Sequence, residues 1–171
     1  LFSTQSSGSL AALLICPNQV VHEELVAALT RLGHTPSLDV AAYPPPRALA
    51  EVVEARRPNI FFIEIGTDLR QGLALIAGAA ALSPAPAVVA VHSSGDPDLI
   101  LRAVRQGAAE FLFRPFQAGQ IAAALERLAR LVLKGRSDSL SCAMIGVPSK
   151  NASTEWRSTP TPSGPSDSEN T

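Results

Sequence analysis

The chain has 171 residues, of which 46% are hydrophobic, so it is long enough and apolar enough for one ordinary domain with additional segments. Its formal net charge of −1 argues against a nucleic-acid partner, because neutralising phosphates requires a basic face. No apolar stretch approaches the roughly 18 residues that a membrane span requires, and two cysteines give neither a disulfide framework nor metal-ligand spacing, which fits a cytoplasmic location.

Short apolar runs alternate with amphipathic stretches along most of the chain. Residues 1–9 are small and polar, which is typical of a disordered lead-in. The apolar runs predict five strands, at about 10–16, 37–42, 60–65, 87–91 and 111–113. The stretches between them, bounded by Pro, Gly, Asn or Asp, predict five helices, at about 19–32, 46–57, 69–82, 97–106 and 117–133.

Strict alternation of strands and helices predicts an α/β domain over residues 10–134, with a doubly wound five-stranded parallel sheet and right-handed crossovers. The composition changes after residue 134. Residues 135–171 are rich in Ser, Thr, Pro, Asn and Gly, which predicts a mostly disordered tail. One apolar island at 140–147 has the pattern of a strand that leads into a turn.

Glu64 is a charged residue inside an otherwise apolar run, at the end of the third predicted strand. A carboxylate in a strand that is buried on both faces costs free energy unless it lies at the strand's C-terminal end. Ligands and reactive groups gather at that end in open α/β sheets. Glu64 is therefore either a functional residue or the remnant of one.

Three segments of the chain resemble the receiver domain of response regulators. They are residues 57–65, 87–93 and 107–116, which resemble the third strand, the fourth strand and the Gly-Ala to Lys-Pro-Phe segment of that family. The resemblance covers about residues 11–133 and implies a (βα)5 flavodoxin-like receiver fold. In the family the third strand ends on the phosphoacceptor aspartate, and the fourth ends on Thr or Ser.

Each position that carries the family's chemistry departs from the family's pattern. The acidic pair falls on Pro17 and Asn18, the phosphoacceptor on Glu64, the hydroxyl on His92 and the lysine on Arg114. Phosphoryl transfer to a carboxylate requires a divalent cation held by clustered oxygen ligands, which an uncharged pair does not supply. The resemblance therefore implies a pseudo-receiver that has no catalytic activity and binds no metal, nucleotide or other cofactor.

Two interpretations of Glu64 remain open. In one, the Glu64 side chain is a fixed mimic of the phosphorylated state. It directs its negative charge toward Arg114, which binds it bidentately. In the other, Glu64 is a solvent-facing or arginine-paired carboxylate without a switching role. His92 is either a pH-responsive partner of Glu64 or a hydrogen-bonded loop residue. The peptide bond before Pro115 is expected to be cis, as in the family.

The last strand and its flanking helices, about residues 96–106 and 111–130, form the surface that binds partners in the family. We expect a protein partner there, and a homodimer through the same surface is also open. The candidate interface residues are Phe111, Phe113, Phe116, Ile121 and Leu125. Alternation along the strand and helical spacing along the last helix also favour packing of these residues in the core.

Degenerate receivers also occur at the N-terminus of CpaE/TadZ-type pilus-assembly and localisation ATPases, where a linker leads to a strand and a deviant P-loop. Residues 148–154 faintly resemble that loop but lack the glycines that wrap a phosphate. The sequence predicts a phosphorylation-independent interaction or localisation module, with a possible role in pilus assembly. The alternatives are an atypical phosphoacceptor receiver of a two-component system and the truncated regulatory half of a P-loop ATPase.

Overall fold

Strands and helices alternate along residues 11–144, which are the residues that this computed structural model describes. The five strands are β1 (Ala12–Ile15), β2 (Leu38–Val40), β3 (Ile60–Glu64), β4 (Ala87–His92) and β5 (Glu110–Phe113). The five helices are α1 (Gln19–Arg31), α2 (Pro46–Arg56), α3 (Leu69–Ala80), α4 (Pro97–Arg105) and α5 (Ala118–Met144). Apart from the end of α5, these bounds lie close to those that the sequence predicts.

The five strands form one parallel sheet in the order β2-β1-β3-β4-β5. The chain moves from β1 to one edge of the sheet and then returns past β1 to build the other half. Helices α1 and α5 therefore cover one face of the sheet, while α2, α3 and α4 cover the other. The predicted doubly wound α/β fold is confirmed, and its change of direction places the C-terminal ends of β1 and β3 side by side.

The core consists of two apolar clusters, one on each face of the sheet. Successive side chains of a strand point to opposite faces, so Leu14 and Phe62 pack beneath α1 and α5, while Leu13 and Phe61 pack beneath the other helices. Every residue of β1 and β3 is buried. This burial explains why both strands are near-continuous apolar runs rather than alternating ones.

Polar side chains fix the first turns of the helices that border the candidate site. Asn18 caps α1, because its side-chain oxygen accepts hydrogen bonds from the backbone N–H groups of Val20 and Val21. Asp68 caps α3 by accepting from the Gln71 N–H at 3.0 Å. These caps hold the loops that follow β1 and β3 in defined conformations.

Helix α5 differs from the sequence prediction, since it continues to Met144 instead of ending near Leu133. The strand predicted to begin at Leu140 is therefore wrong as far as residue 144. A short apolar run does not distinguish strand from helix, and a helix extends readily through residues that lack proline. None of the helices in the described range is both long enough and apolar enough to cross a bilayer. The remaining tail and the segment that resembles a P-loop lie outside the described residues.

Candidate functional site

The residues that the sequence singled out lie at the edge of the sheet where the parallel strands end. Pro17 and Asn18 follow β1, Glu64 ends β3, His92 ends β4 and Arg114 follows β5. Parallel strands place their C-terminal ends at the same edge, which is where sites form in open α/β sheets. The structure therefore brings these residues to one edge, although their contacts differ from those expected.

The Glu64 carboxylate is buried and is bound by donors of its own chain. Its side chain is 1% exposed, and its Oε1 accepts hydrogen bonds from the Gly66 N–H at 2.5 Å and the Thr67 N–H at 3.1 Å. Its Oε2 lies 3.3 Å from both the Thr67 nitrogen and the Tyr43 hydroxyl oxygen. Backbone N–H groups form short charge-assisted hydrogen bonds with a carboxylate. The Glu64 carboxylate therefore binds the backbone N–H groups of the loop between β3 and α3.

Both interpretations of Glu64 offered by the sequence are wrong in their contacts. The carboxylate neither faces solvent nor pairs with Arg114, because its longer arm folds back onto the loop that follows β3. Arg114 instead forms a bidentate pair with Glu24 of α1, in which Nε donates to Oε2 at 2.7 Å and Nη2 donates to Oε1. Its hydrogen bonds hold the pKa of Glu24 below the usual range. The peptide bond between Arg114 and Pro115 is cis, as expected.

Tyr43, in the loop between β2 and α2, is a site residue that the sequence reasoning missed. Its hydroxyl donates to the Glu64 carbonyl oxygen at 2.9 Å and accepts from the Asp68 N–H at 3.3 Å. Burial, with a smaller contribution from the Glu64 charge, raises the pKa of Tyr43 above its ordinary range. Tyr43 thus ties the loops that follow β2 and β3 to each other. No local sequence pattern marks it, since its partners lie 21 or more residues away.

His92 is a hydrogen-bonded loop residue rather than a partner of Glu64. Its Nδ1 accepts from the Ser94 N–H at 2.9 Å and lies 3.1 Å from the Ser94 hydroxyl. The ring edge borders Gly66, where a Cβ atom would lie 3.2 Å from Nε2 and 2.7 Å from Oε1 of Glu64. Only glycine fits between these two side chains without displacement.

The divalent cation that phosphoryl transfer to a receiver carboxylate requires does not fit these residues. Pro17 offers no side-chain ligand, and the Asn18 side-chain oxygen already accepts two N–H groups at the start of α1. The Glu64 carboxylate is committed to its own loop. No group of three or more His, Cys, Asp or Glu side chains that could hold a metal occurs in the described part of the chain.

The structure divides the candidate interface residues into buried and half-buried ones. Ile121 and Leu125 belong to α5 and are buried in the core between this helix and the sheet, so they are unavailable for an interface. Their helical stripe packs onto the sheet, which is the alternative that their spacing also favoured. Phe111 and Phe116 are half-buried against the two core clusters, and the Phe113 ring lies against the loop between β4 and α4.

Helix α4 carries exposed apolar residues that the sequence reasoning did not single out. Leu101 is 48% exposed and Val104 is 50% exposed, and they lie one turn apart. Leu131 of α5 is also exposed. The surface made by α4, β5 and α5 therefore presents Leu101 and Val104 to solvent, whereas the five candidate residues are buried or half-buried.

Known proteins resemble part of this chain. No protein-family model matches it. The chemotaxis protein CheY of Listeria monocytogenes is 30% identical over 74 residues, which are 43% of this chain and 62% of CheY. The chain thus spans less than two thirds of the length of the curated relatives that it matches.

Solved structures share the fold at lower identity. A CheY-like protein, TadZ of Pseudomonas aeruginosa, has a TM-score of 0.59 at 22% identity, over 69% of this chain and 98% of that chain. A pilus assembly-related protein of Burkholderia pseudomallei has a TM-score of 0.61 at 17% identity, over 75% of this chain and 96% of that chain. At such identities the likeness shows the fold, which is that of a receiver-like domain.

Proposed function

We propose that this receiver-like domain is a degenerate receiver, not an enzyme, which binds a protein partner without being phosphorylated. The observation that carries the proposal is the state of Glu64, whose carboxylate is buried and bound by the Gly66 and Thr67 amides. A phosphoacceptor must present a free carboxylate oxygen to a metal-bound phosphodonor. Here both oxygens are already in contact with donors of the chain itself.

The same contacts suggest a permanent signalling state. In a switching receiver a negative group is added and removed, whereas the Glu64 carboxylate is a constant part of the loop between β3 and α3. That loop leads directly into α3, whose N-terminus Asp68 caps. With the loop held by Glu64 and Tyr43, the domain keeps one conformation and presents one surface to its partner.

A role in pilus assembly or in localisation is the finer part of the proposal. Its support is the likeness in fold to TadZ and to the pilus assembly-related protein of Burkholderia pseudomallei. The likeness to CheY supports the competing view, in which the domain is an atypical phosphoacceptor in a two-component system. The contacts of Glu64 argue against phosphate acceptance and therefore against this competing view.

Incubation of the full chain with acetyl phosphate and magnesium, followed by intact mass spectrometry, tests the absence of phosphorylation. We expect no gain of mass on the folded protein, because the Glu64 carboxylate is bound to its own loop and the described residues hold no cluster of metal ligands. A gain of one phosphoryl group that is lost in Glu64→Gln would overturn the proposal and favour a two-component receiver. Heat-denatured protein serves as the control for nonspecific labelling.

Charge substitutions on α4 test the binding surface. We expect Leu101→Glu together with Val104→Glu to abolish co-purification of the natural partner from the native cell, because a charge replaces exposed apolar contact area. Val20→Glu on α1 is the matched control, since Val20 is 56% exposed on a different helix. Equal loss with the control variant, or no loss with the α4 variant, would place the partner elsewhere.

A further inference from the structure

We propose that the groove between α3 and α4 is a second docking site, which binds an acidic segment of a partner protein. The groove is open to solvent and has a volume of about 410 Å³. Its lining residues are Leu69, Arg70, Leu73, Ala74, Arg102 and Gln106. It lies on the α3 side of α4, apart from the surface formed by α4, β5 and α5.

Two arginines give the groove its charge. Arg70 comes from the first turn of α3 and Arg102 from the middle of α4, and both are exposed. Neither takes part in the four ion pairs of the described residues, which use His22, Arg114, Arg127 and Arg130. Both guanidinium groups are therefore available to a carboxylate from outside the described domain.

Asp68, the acidic residue nearest to Arg70 along the chain, does not replace such a partner. Asp68 precedes Arg70, but its two side-chain oxygens accept from the backbone and side-chain nitrogens of Gln71. These hydrogen bonds hold the pKa of Asp68 below its usual range, with Arg70 making only a small contribution. The Asp68 carboxylate therefore caps the start of α3, and the guanidinium group of Arg70 lines the groove.

The lining specifies a protein segment rather than a nucleic acid. Leu69, Leu73 and Ala74 form an apolar floor from one side of α3, which fits the apolar side chain of a peptide. The Gln106 amide at the end of α4 offers a donor and an acceptor to a peptide backbone. Two arginines suffice to bind one or two carboxylates, whereas a nucleic-acid site uses many phosphate contacts.

Fluorescence anisotropy with two labelled peptides tests the proposal on the full chain. The acidic peptide has three Asp-Leu-Glu repeats, and its neutral counterpart has three Asn-Leu-Gln repeats. We expect the acidic peptide to bind at least tenfold more tightly. Arg70→Gln and Arg102→Gln should each weaken its binding about tenfold, since each removes a charge-assisted hydrogen bond.

Arg47→Gln is the matched control, because Arg47 is an exposed arginine on α2, away from the groove. Its affinity for the acidic peptide should equal that of the parent. Absence of binding at about 1 mM protein, equal affinity for the two peptides, or insensitivity to both groove variants would overturn the proposal. Self-association of the chain that disappears when both groove arginines are replaced would also overturn it, because the occupant would then be a second copy.

Discussion

At the scale of single residues, Glu64 shows how one methylene group changes the use of a carboxylate. The longer side chain reaches back to the N–H groups of Gly66 and Thr67, so a group at the mouth of the sheet becomes part of its own loop. The desolvation of a buried charge is offset by these charge-assisted hydrogen bonds. No cation lies against the carboxylate among the described residues.

Replacement of Glu64 by glutamine measures how much the charge of this carboxylate contributes to the stability of the fold. Glu64→Gln keeps the shape of the side chain but removes the charge that strengthens the bonds to the two amides. We expect the free energy of unfolding to fall by about 1.5–3 kcal/mol, measured by urea denaturation. Glu54→Gln on the exposed face of α2 is the control and should change it by less than about 0.5 kcal/mol. An unchanged value for Glu64→Gln would show that the carboxylate contributes no net stability.

At the scale of elements, the loop between β3 and α3 depends on close packing at Gly66. A Cβ atom there would lie 2.7 Å from Oε1 of Glu64 and 3.1 Å from Cδ2 of His92, both held by hydrogen bonds. The loop is therefore fixed by Glu64 and His92, which end two different strands, and by Tyr43 from the loop after β2. Its shape depends on the assembled sheet rather than on the loop sequence alone.

Gly66→Ala tests this packing against a second glycine of the same region. We expect Gly66→Ala to lower the free energy of unfolding by about 1–3 kcal/mol, because the methyl group displaces Glu64 or His92. Gly78→Ala in α3 is the matched control, since a Cβ atom there meets nothing within 4 Å. That control should raise stability by about 0.5–1 kcal/mol through helix propensity. Thermal or urea denaturation separates the two signs, and equal effects would contradict the packing argument.

At the scale of the whole molecule, the buried Cys16 thiol and the half-buried Tyr43 hydroxyl make the stability of the fold fall at alkaline pH. Burial, reinforced by the Glu64 charge, raises the pKa of Cys16 from its ordinary 9.0 to about 12, and Tyr43 is shifted in the same direction. The folded state therefore keeps protons that the unfolded state loses as the pH rises above 9. The stability that the two raised pKa values contribute is fully present below pH 9 and is lost as the pH approaches the folded-state pKa values.

We expect the free energy of unfolding to fall, by on the order of 1 kcal/mol or more, between neutral pH and about pH 10.5. Urea denaturation under reducing conditions measures it at both pH values. Cys16→Ala and Tyr43→Phe should each show a smaller pH-dependent loss than the parent, whatever their stability at neutral pH. A loss that is identical in both variants and the parent would assign the effect to other groups.

The sequence by itself determined the fold and the location of the site. Apolar runs and helix boundary signals are local, so five strands, five helices and the placement of Glu64 at a strand end followed from them. The departure of Pro17, Asn18 and Arg114 from the receiver pattern was also visible without coordinates. Burial of the stripe that contains Ile121 was one of two outcomes that helical spacing allowed.

Only the tertiary structure decided which side chains meet. Arg114 pairs with Glu24, which is 90 residues distant, and Tyr43 meets Glu64 from 21 residues away. No local periodicity encodes such pairs, because each depends on which loops the folded sheet brings together and on how far each side chain reaches. The sequence therefore predicted a carboxylate at the C-terminal edge of the sheet. Only the folded structure shows that this carboxylate binds the loop that follows its own strand.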